Sequence, residues 1–140
     1  MEKILLPVDD SEESLKAVRY AVDIAENTGA SLELVHVLPL TFPIFAEELV
    51  PLPAEIEEAW EKDARELLDR YKRQPHAKVQ ITTRIEKGDA GLTILDLAKR
   101  GRYNMIVMGA RGFNWLRKMF SISISSKVVE QAPCPVLVVR

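Results

Sequence analysis

Ile4-Leu5-Leu6-Pro7-Val8, followed at once by Asp9-Asp10-Ser11-Glu12-Glu13-Ser14, decides how this chain is read. A short, nearly continuous apolar run is the pattern of a strand buried on both faces. The acidic and hydroxylic cluster behind it is what a helix N-terminus uses to satisfy its first N–H groups. Leu15, Val18, Val22 and Ala25 then recur at spacings of 3, 4 and 3, one apolar helical stripe. Asn27-Thr28-Gly29 ends it, with Gly29 as the left-handed cap. A buried strand running straight into an amphipathic helix is the first half of a β-α-β unit.

Outward from there the alternation continues. Leu32-Glu33-Leu34-Val35-His36-Val37 is a second strand. Residues 38–53 interrupt the pattern with Pro39, Pro43, Pro51 and Pro53, four of the eight prolines, and with Phe42 and Phe45. They read as an apolar loop, either a lid or a packing arm. From Ala54 to Arg73, Ile56, Trp60, Ala64, Leu67 and Tyr71 mark a helix, which Pro75 stops. Val79, Ile81, Thr83 and Ile85 alternate with polar residues, as in a half-exposed strand at a sheet edge. Gly88-Asp89 is a turn and N-cap. Leu92, Leu95 and Ala98 form the next helical stripe, ended at Gly101. Met105-Ile106-Val107-Met108 is a buried strand stopping at Gly109. Ile124, Val128 and Ala132 fit a short helix, and Pro135-Val136-Leu137-Val138-Val139 a last strand. Strands alternating with helices predict an α/β domain over residues 1–140, a doubly wound five-stranded parallel sheet with helices on both faces.

Composition agrees. The 140 residues are 47% hydrophobic and 29% charged, ordinary usage for a folded domain. A chain of this length buries about two thirds of its unfolded surface. The net charge of −2 disfavours nucleic-acid binding through bulk positive charge. One cysteine excludes an internal disulfide framework and a multi-cysteine metal site. No stretch reaches the roughly 20 apolar residues of a membrane span, and the Met1–Pro7 run is too short for a signal peptide. The expectation is a cytoplasmic domain with no membrane or nucleic-acid partner.

In doubly wound sheets ligands sit beyond the carboxyl ends of the strands, where strand order reverses. Two such ends stand out: Pro7-Val8-Asp9-Asp10 and Met108-Gly109-Ala110-Arg111-Gly112. Gly109 and Gly112 would let backbone N–H groups approach an anion, and the following helix would turn its N-terminus toward it. Ser121, Ser123, Ser125 and Ser126 add hydroxyls; Arg111, Arg117 and Lys118 add charge. The glycines fit a plain strand end and loop turn as well. Asp9 could accept from a ribose hydroxyl or an adenine amino group, or simply cap the first helix. With three candidate caps in a row, Ser11 is expected as the cap and Asp9 as the ligand contact.

These stretches, with Leu34-Val35-His36-Val37 and Ala132-Pro133-Cys134 before the last strand, resemble the universal stress protein family in order and spacing from Lys3 to Arg140. The resemblance implies strand order 3-2-1-4-5, a homodimer, and in many members ATP bound through G-x2-G-x9-G-[ST], often with a divalent cation. Gly109 and Gly112 match the first part, and Ser123 matches the hydroxyl. Ile122 stands where the third glycine belongs. A β-branched residue disfavours positive φ and turns methyl groups toward the anion. Carried over by position, Pro7, Asp9, Val37 and Met108 would flank adenine and ribose, with Val8 and Ile124 in the same nucleotide site. Gly109, Gly112 and Ser123 would hold the phosphates, with Arg111 assisting.

Two functions follow from the resemblance. One is a stress-response regulatory protein that binds ATP, ADP or AMP, with magnesium if the ligand is a triphosphate. The other, favoured by Ile122, is a nucleotide-free dimeric scaffold. In either case the partner edge would be Val136, Leu137, Val138 and Val139, an apolar strand that a second copy could cover. There is no G-x4-G-K-[ST] loop, G-x-S-x-G elbow or H-E-x-x-H pair, so ATP hydrolysis is expected to be slow and incidental at most. His36 reads as a satisfied core histidine, Cys134 as a buried inert thiol, and Trp60 as core. The aromatics from Phe113 to Phe120 read as a loop anchor or a partner surface.

Overall fold

The computed structural model describes residues 1–45, 48–76, 78–110 and 124–140, with the backbone alone between 41 and 49. In chain order the elements are β1 (Lys3–Pro7), α1 (Glu12–Thr28), β2 (Ser31–Leu38), β3 (Thr41–Phe45), β4 (Glu48–Pro51), α2 (Ala54–Lys72), β5 (Ile81–Lys87), α3 (Ala90–Gly101), β6 (Met105–Gly109), α4 (Ile124–Gln131) and β7 (Val136–Val139).

Five strands form a parallel sheet in the order β5-β2-β1-β6-β7. Counting its own members in chain order, this is 3-2-1-4-5, as the resemblance implied. β1 is central, and chain order reverses across it. Period-two alternation divides the core between two faces. Ile4, Leu6, Val8, Leu32 and Leu34 meet α1 and α2, through Val18, Val22, Leu67, Leu68 and Tyr71. Leu5, Val35, Val37, Ile106 and Met108 meet α3 and α4, through Ile94, Leu97 and Val128. β1 and β6 are apolar on both faces because both are covered.

Local chemistry matches the expected helix ends. Ser11 caps α1, its side chain accepting from the Ser14 N–H at 3.1 Å. Gly29 closes that helix at φ 79°, and its N–H donates to Ala25 O. Asp89 caps α3, Oδ1 accepting from the Leu92 N–H at 2.8 Å.

Three expectations need correction. Residues 38–53 are not simply a loop, since β3 and β4 pair antiparallel as a separate two-stranded sheet. Each strand of a lone hairpin has an outer edge, where a proline costs no ladder bond. That is how Pro43 and Pro51 can lie within strands. Trp60 is half-buried rather than core and Ile56 is exposed, because α2 turns a buried stripe to the sheet only from Ala64 onward. Leu92 is exposed too, and Ile94 and Leu97 take the buried positions of α3 with Leu95 and Ala98.

Candidate functional site at the end of the central strand

Two breaks in hydrogen bonding make the site. Val8 N–H donates to Val35 O at 2.9 Å, so Val8 turns its backbone toward β2. In a parallel ladder the neighbouring residue turns the other way. Pro7 therefore faces β6, and it has no N–H to give. Pairing of β1 with β6 ends at Leu5 and Ile106, one step before a donor would be needed from position 7. A proline in the middle of a sheet is normally excluded. Here it marks where the central strand parts from its neighbour.

The β2 side opens one step later. Ser31 N–H donates to Glu2 O and Val35 O accepts from Val8, whereas Leu32 and Leu38 bond toward β5. Odd-numbered residues of β2 thus face β1. Val37 turns its N–H and C=O to that side, but β1 pairing stops at Pro7 and Val35. The carboxyl edge therefore has a gap bordered by the backbone of Val37, the end of β1 and the end of β6.

Side chains from the α1/α2 face hold the end of β1. His36 Nδ1 lies 2.7 Å from Val8 O, and a carbonyl can only accept, so the ring donates through Nδ1–H. The Tyr71 hydroxyl donates to Asp9 O at 2.5 Å. Burial, and then the neighbouring Asp9 carboxylate, push the Tyr71 hydroxyl up to about 12, so it keeps its proton through the neutral range. Asp9 itself is 3% exposed. Its Oδ1 accepts from Ser11 N–H at 2.9 Å and from Ser14 Oγ at 2.8 Å, and its own N–H donates to Ser14 Oγ. Asp9 thus shapes the turn into α1, a structural duty beside the ligand contact expected of it.

Gly109 has a packing reason to be glycine, beside the phosphate contact expected of it. A Cβ there would lie 2.8 Å from the backbone carbon of Glu13 and 2.9 Å from its Cβ. Its missing side chain lets α1 approach β6, and its φ is not positive. The β6 end meets the start of α4, where Ser125 Oγ donates to Ala110 O at 3.2 Å. Ile124 packs half-buried against the second core cluster. Arg111, Gly112, Arg117, Lys118, Ser121, Ile122, Ser123 and the Phe113–Phe120 aromatics lie outside the described residues. Pro7, Val8, Asp9, Val37, Met108, Gly109 and Ile124 do gather at one edge, with the Val37 and Met108 side chains in the α3/α4 cluster.

A cleft of about 610 Å³ opens on the other face, between the ends of β1 and β2 and helix α2. Asp9, His36, Leu38, Trp60, Asp63 and Arg70 are among its walls. Sequence reading missed the part played by His36 and Tyr71. The available signals were a polar side chain in an apolar strand, and a tyrosine on a buried stripe whose hydroxyl needs a partner. Cys134 packs half-buried on the second cluster, and burial pushes its thiol up, in keeping with an inert group. Among the described residues no three His, Cys, Asp or Glu side chains gather as a metal site. No described helix is long and apolar enough to cross a membrane.

The universal stress protein family model matches residues 1–140. This chain belongs to the universal stress protein family. It is 33% identical to the universal stress protein YxiE of Bacillus subtilis, over 99% of this chain and 98% of that one. Among solved structures, the universal stress protein UspA of Lactobacillus plantarum superposes with a TM-score of 0.75 at 30% identity, covering 99% and 97% of the two chains. An Arabidopsis thaliana member solved with AMP bound shares the fold at a TM-score of 0.68 and 20% identity, over 99% and 91%. Members solved in complex with cAMP and, from Archaeoglobus fulgidus, with dAMP share it at 21% and 17% identity.

Proposed function

We propose that this universal stress protein is a regulatory module that binds an adenine nucleotide at the carboxyl ends of β1 and β6. The observation that carries the reading is the Val37 backbone, which faces the gap past the last β1 rung. An adenine edge pairs donor with acceptor, and so does a peptide unit in that position. Pro7 and Met108 would flank the base, and Asp9 the ribose. Gly109, Gly112 and Ser123 would hold the phosphates, with Arg111 assisting and magnesium accompanying a triphosphate. Relatives of the same fold solved with AMP, dAMP and cAMP add support. Those ligands are monophosphates, which suits a chain whose third motif glycine is Ile122.

The test is thermal unfolding with ATP, ADP, AMP and GTP. A ligand at 100 times its Kd stabilises by about 2.7 kcal/mol, and a domain of this size should then gain roughly 5–10 °C. A shift with adenine nucleotides, absent with GTP, is the expected result. No shift at millimolar AMP would favour the second reading, a nucleotide-free homodimeric scaffold. What supports that reading is Ile122 together with β7, whose Val136, Leu137 and Val138 are half-exposed at a sheet edge.

A further inference from the structure

We infer that His36 and Tyr71 are positioning residues for the base site: by holding the carbonyls of Val8 and Asp9 toward the α1/α2 face, they stop β1 from pairing onward with β2 and keep the Val37 backbone open to a ligand. The inference rests on the nucleotide reading above.

A continued parallel ladder would next join Val37 N–H to Val8 C=O, the rung after Val8 N–H to Val35 O. That bond does not form: the β1–β2 pairing ends at Pro7 and Val35, and Val8 N–H to Val35 O is the last backbone bond to β2. The carbonyl that Val37 would need is instead 2.7 Å from His36 Nδ1. A carbonyl has two lone pairs, so occupancy alone would not exclude Val37. Direction does. His36 shares its sheet face with Leu32 and Leu34, and Tyr71 comes from α2 on that same face. A carbonyl turned toward them is turned out of the sheet plane in which the Val37 N–H points. Asp9 O, held by Tyr71 at 2.5 Å, carries the chain further the same way. On the β6 side, Pro7 achieves the same separation by lacking a donor.

A bland role is available: the two side chains could merely satisfy carbonyls that the turn into α1 leaves behind. The two roles differ at an amide that neither side chain touches. If they only stabilise the turn, removing them loosens the region, and Val37 N–H exchanges as before or faster. If they hold the gap open, removing them lets β1 reach one rung further, and Val37 N–H exchanges more slowly.

The experiment is amide hydrogen exchange by NMR on the full chain, with and without AMP, paired with calorimetric titration of AMP. The variants are His36→Phe, Tyr71→Phe and His36→Asn, whose amide nitrogen can stand in for Nδ1. Tyr71→Phe removes a single oxygen and keeps the inference testable should His36→Phe not fold. Expected results are slow Val37 exchange without ligand in the two Phe variants, and AMP affinity lower by about tenfold, the loss of roughly one hydrogen bond. His36→Asn should restore both. Unchanged or faster Val37 exchange in both Phe variants overturns the inference. Wild-type protein that binds no AMP overturns the nucleotide reading separately, because the Val37 exchange comparison needs no ligand.

Discussion

Tyr71 carries more than a packing role. Its hydroxyl is held near pKa 12 in the folded chain against about 10 unfolded. A group whose pKa rises on folding contributes stability that is complete below its unfolded value and lost as pH climbs through its folded one. The protein should therefore weaken between about pH 10 and 12, and Tyr71→Phe should flatten that decline. At neutral pH the same variant removes the Tyr71 bond to the Asp9 carbonyl, which costs about 1 kcal/mol. Urea unfolding of both proteins at pH 7 and pH 11 measures the two effects. Gly109→Ala is a second residue-scale case. Its Cβ would meet the Glu13 backbone at 2.8 Å, so α1 must move. Overpacking of this kind costs about 1–3 kcal/mol, readable as a lower urea midpoint with an unchanged slope. Pro7→Ala restores an N–H that faces β6, and should add a rung toward Val107. A slowly exchanging amide at position 7 would report it.

Elements are held by their ends and their edges. The Ser11 cap satisfies one of the N–H groups that α1 leaves unpaired, and Ser11→Ala should cost about 1 kcal/mol in urea or thermal unfolding. Asp9 lies two residues upstream and cannot replace it, because its Oδ1 is committed to Ser11 N–H and Ser14 Oγ. At the far edge of the sheet, Lys87 of β5 bonds Glu57 at 2.6 Å and Glu61 at 2.5 Å, both on α2. The lysine holds Glu61 below the usual carboxylate range, and the two glutamates raise Lys87. These charges also suit an edge strand, since they oppose pairing with another chain. Glu57 and Glu61 thus tie α2 to β5.

The two edges of the molecule differ. β5 presents Thr82, Thr83, Arg84 and Lys87, while β7 presents valines and a leucine. Ile106 N–H donates to Pro135 O and Ala110 N–H to Val139 O, so odd residues of β7 face β6. Val136 and Val138 turn their N–H groups outward. If two copies join there as proposed, Val138→Pro should leave the β6–β7 ladder intact and remove an outward donor. Light scattering should then show a dimer falling to a monomer, and a dimer that persists would place the interface elsewhere.

Sequence periodicity determined a great deal by itself. The apolar runs at 4–8, 32–37 and 105–108 set the buried strands, because a strand covered on both faces cannot spare a polar side. Ser11, Gly29 and Asp89 set the helix ends through local backbone chemistry. Pro7 was legible as the end of the central strand, and its missing N–H is a property of one residue. Tertiary structure decided the rest, because the rest depends on partners far apart in the chain. Within residues 38–53, Thr41–Phe45 and Glu48–Pro51 pair with each other, although the prolines there argue locally for a loop. Gly109 is small because Glu13 packs against it, 96 residues earlier. Tyr71 reaches back 62 residues to Asp9, and His36 reaches 28 to Val8. No periodicity within either segment encodes those contacts, and they are what hold the end of the central strand away from Val37.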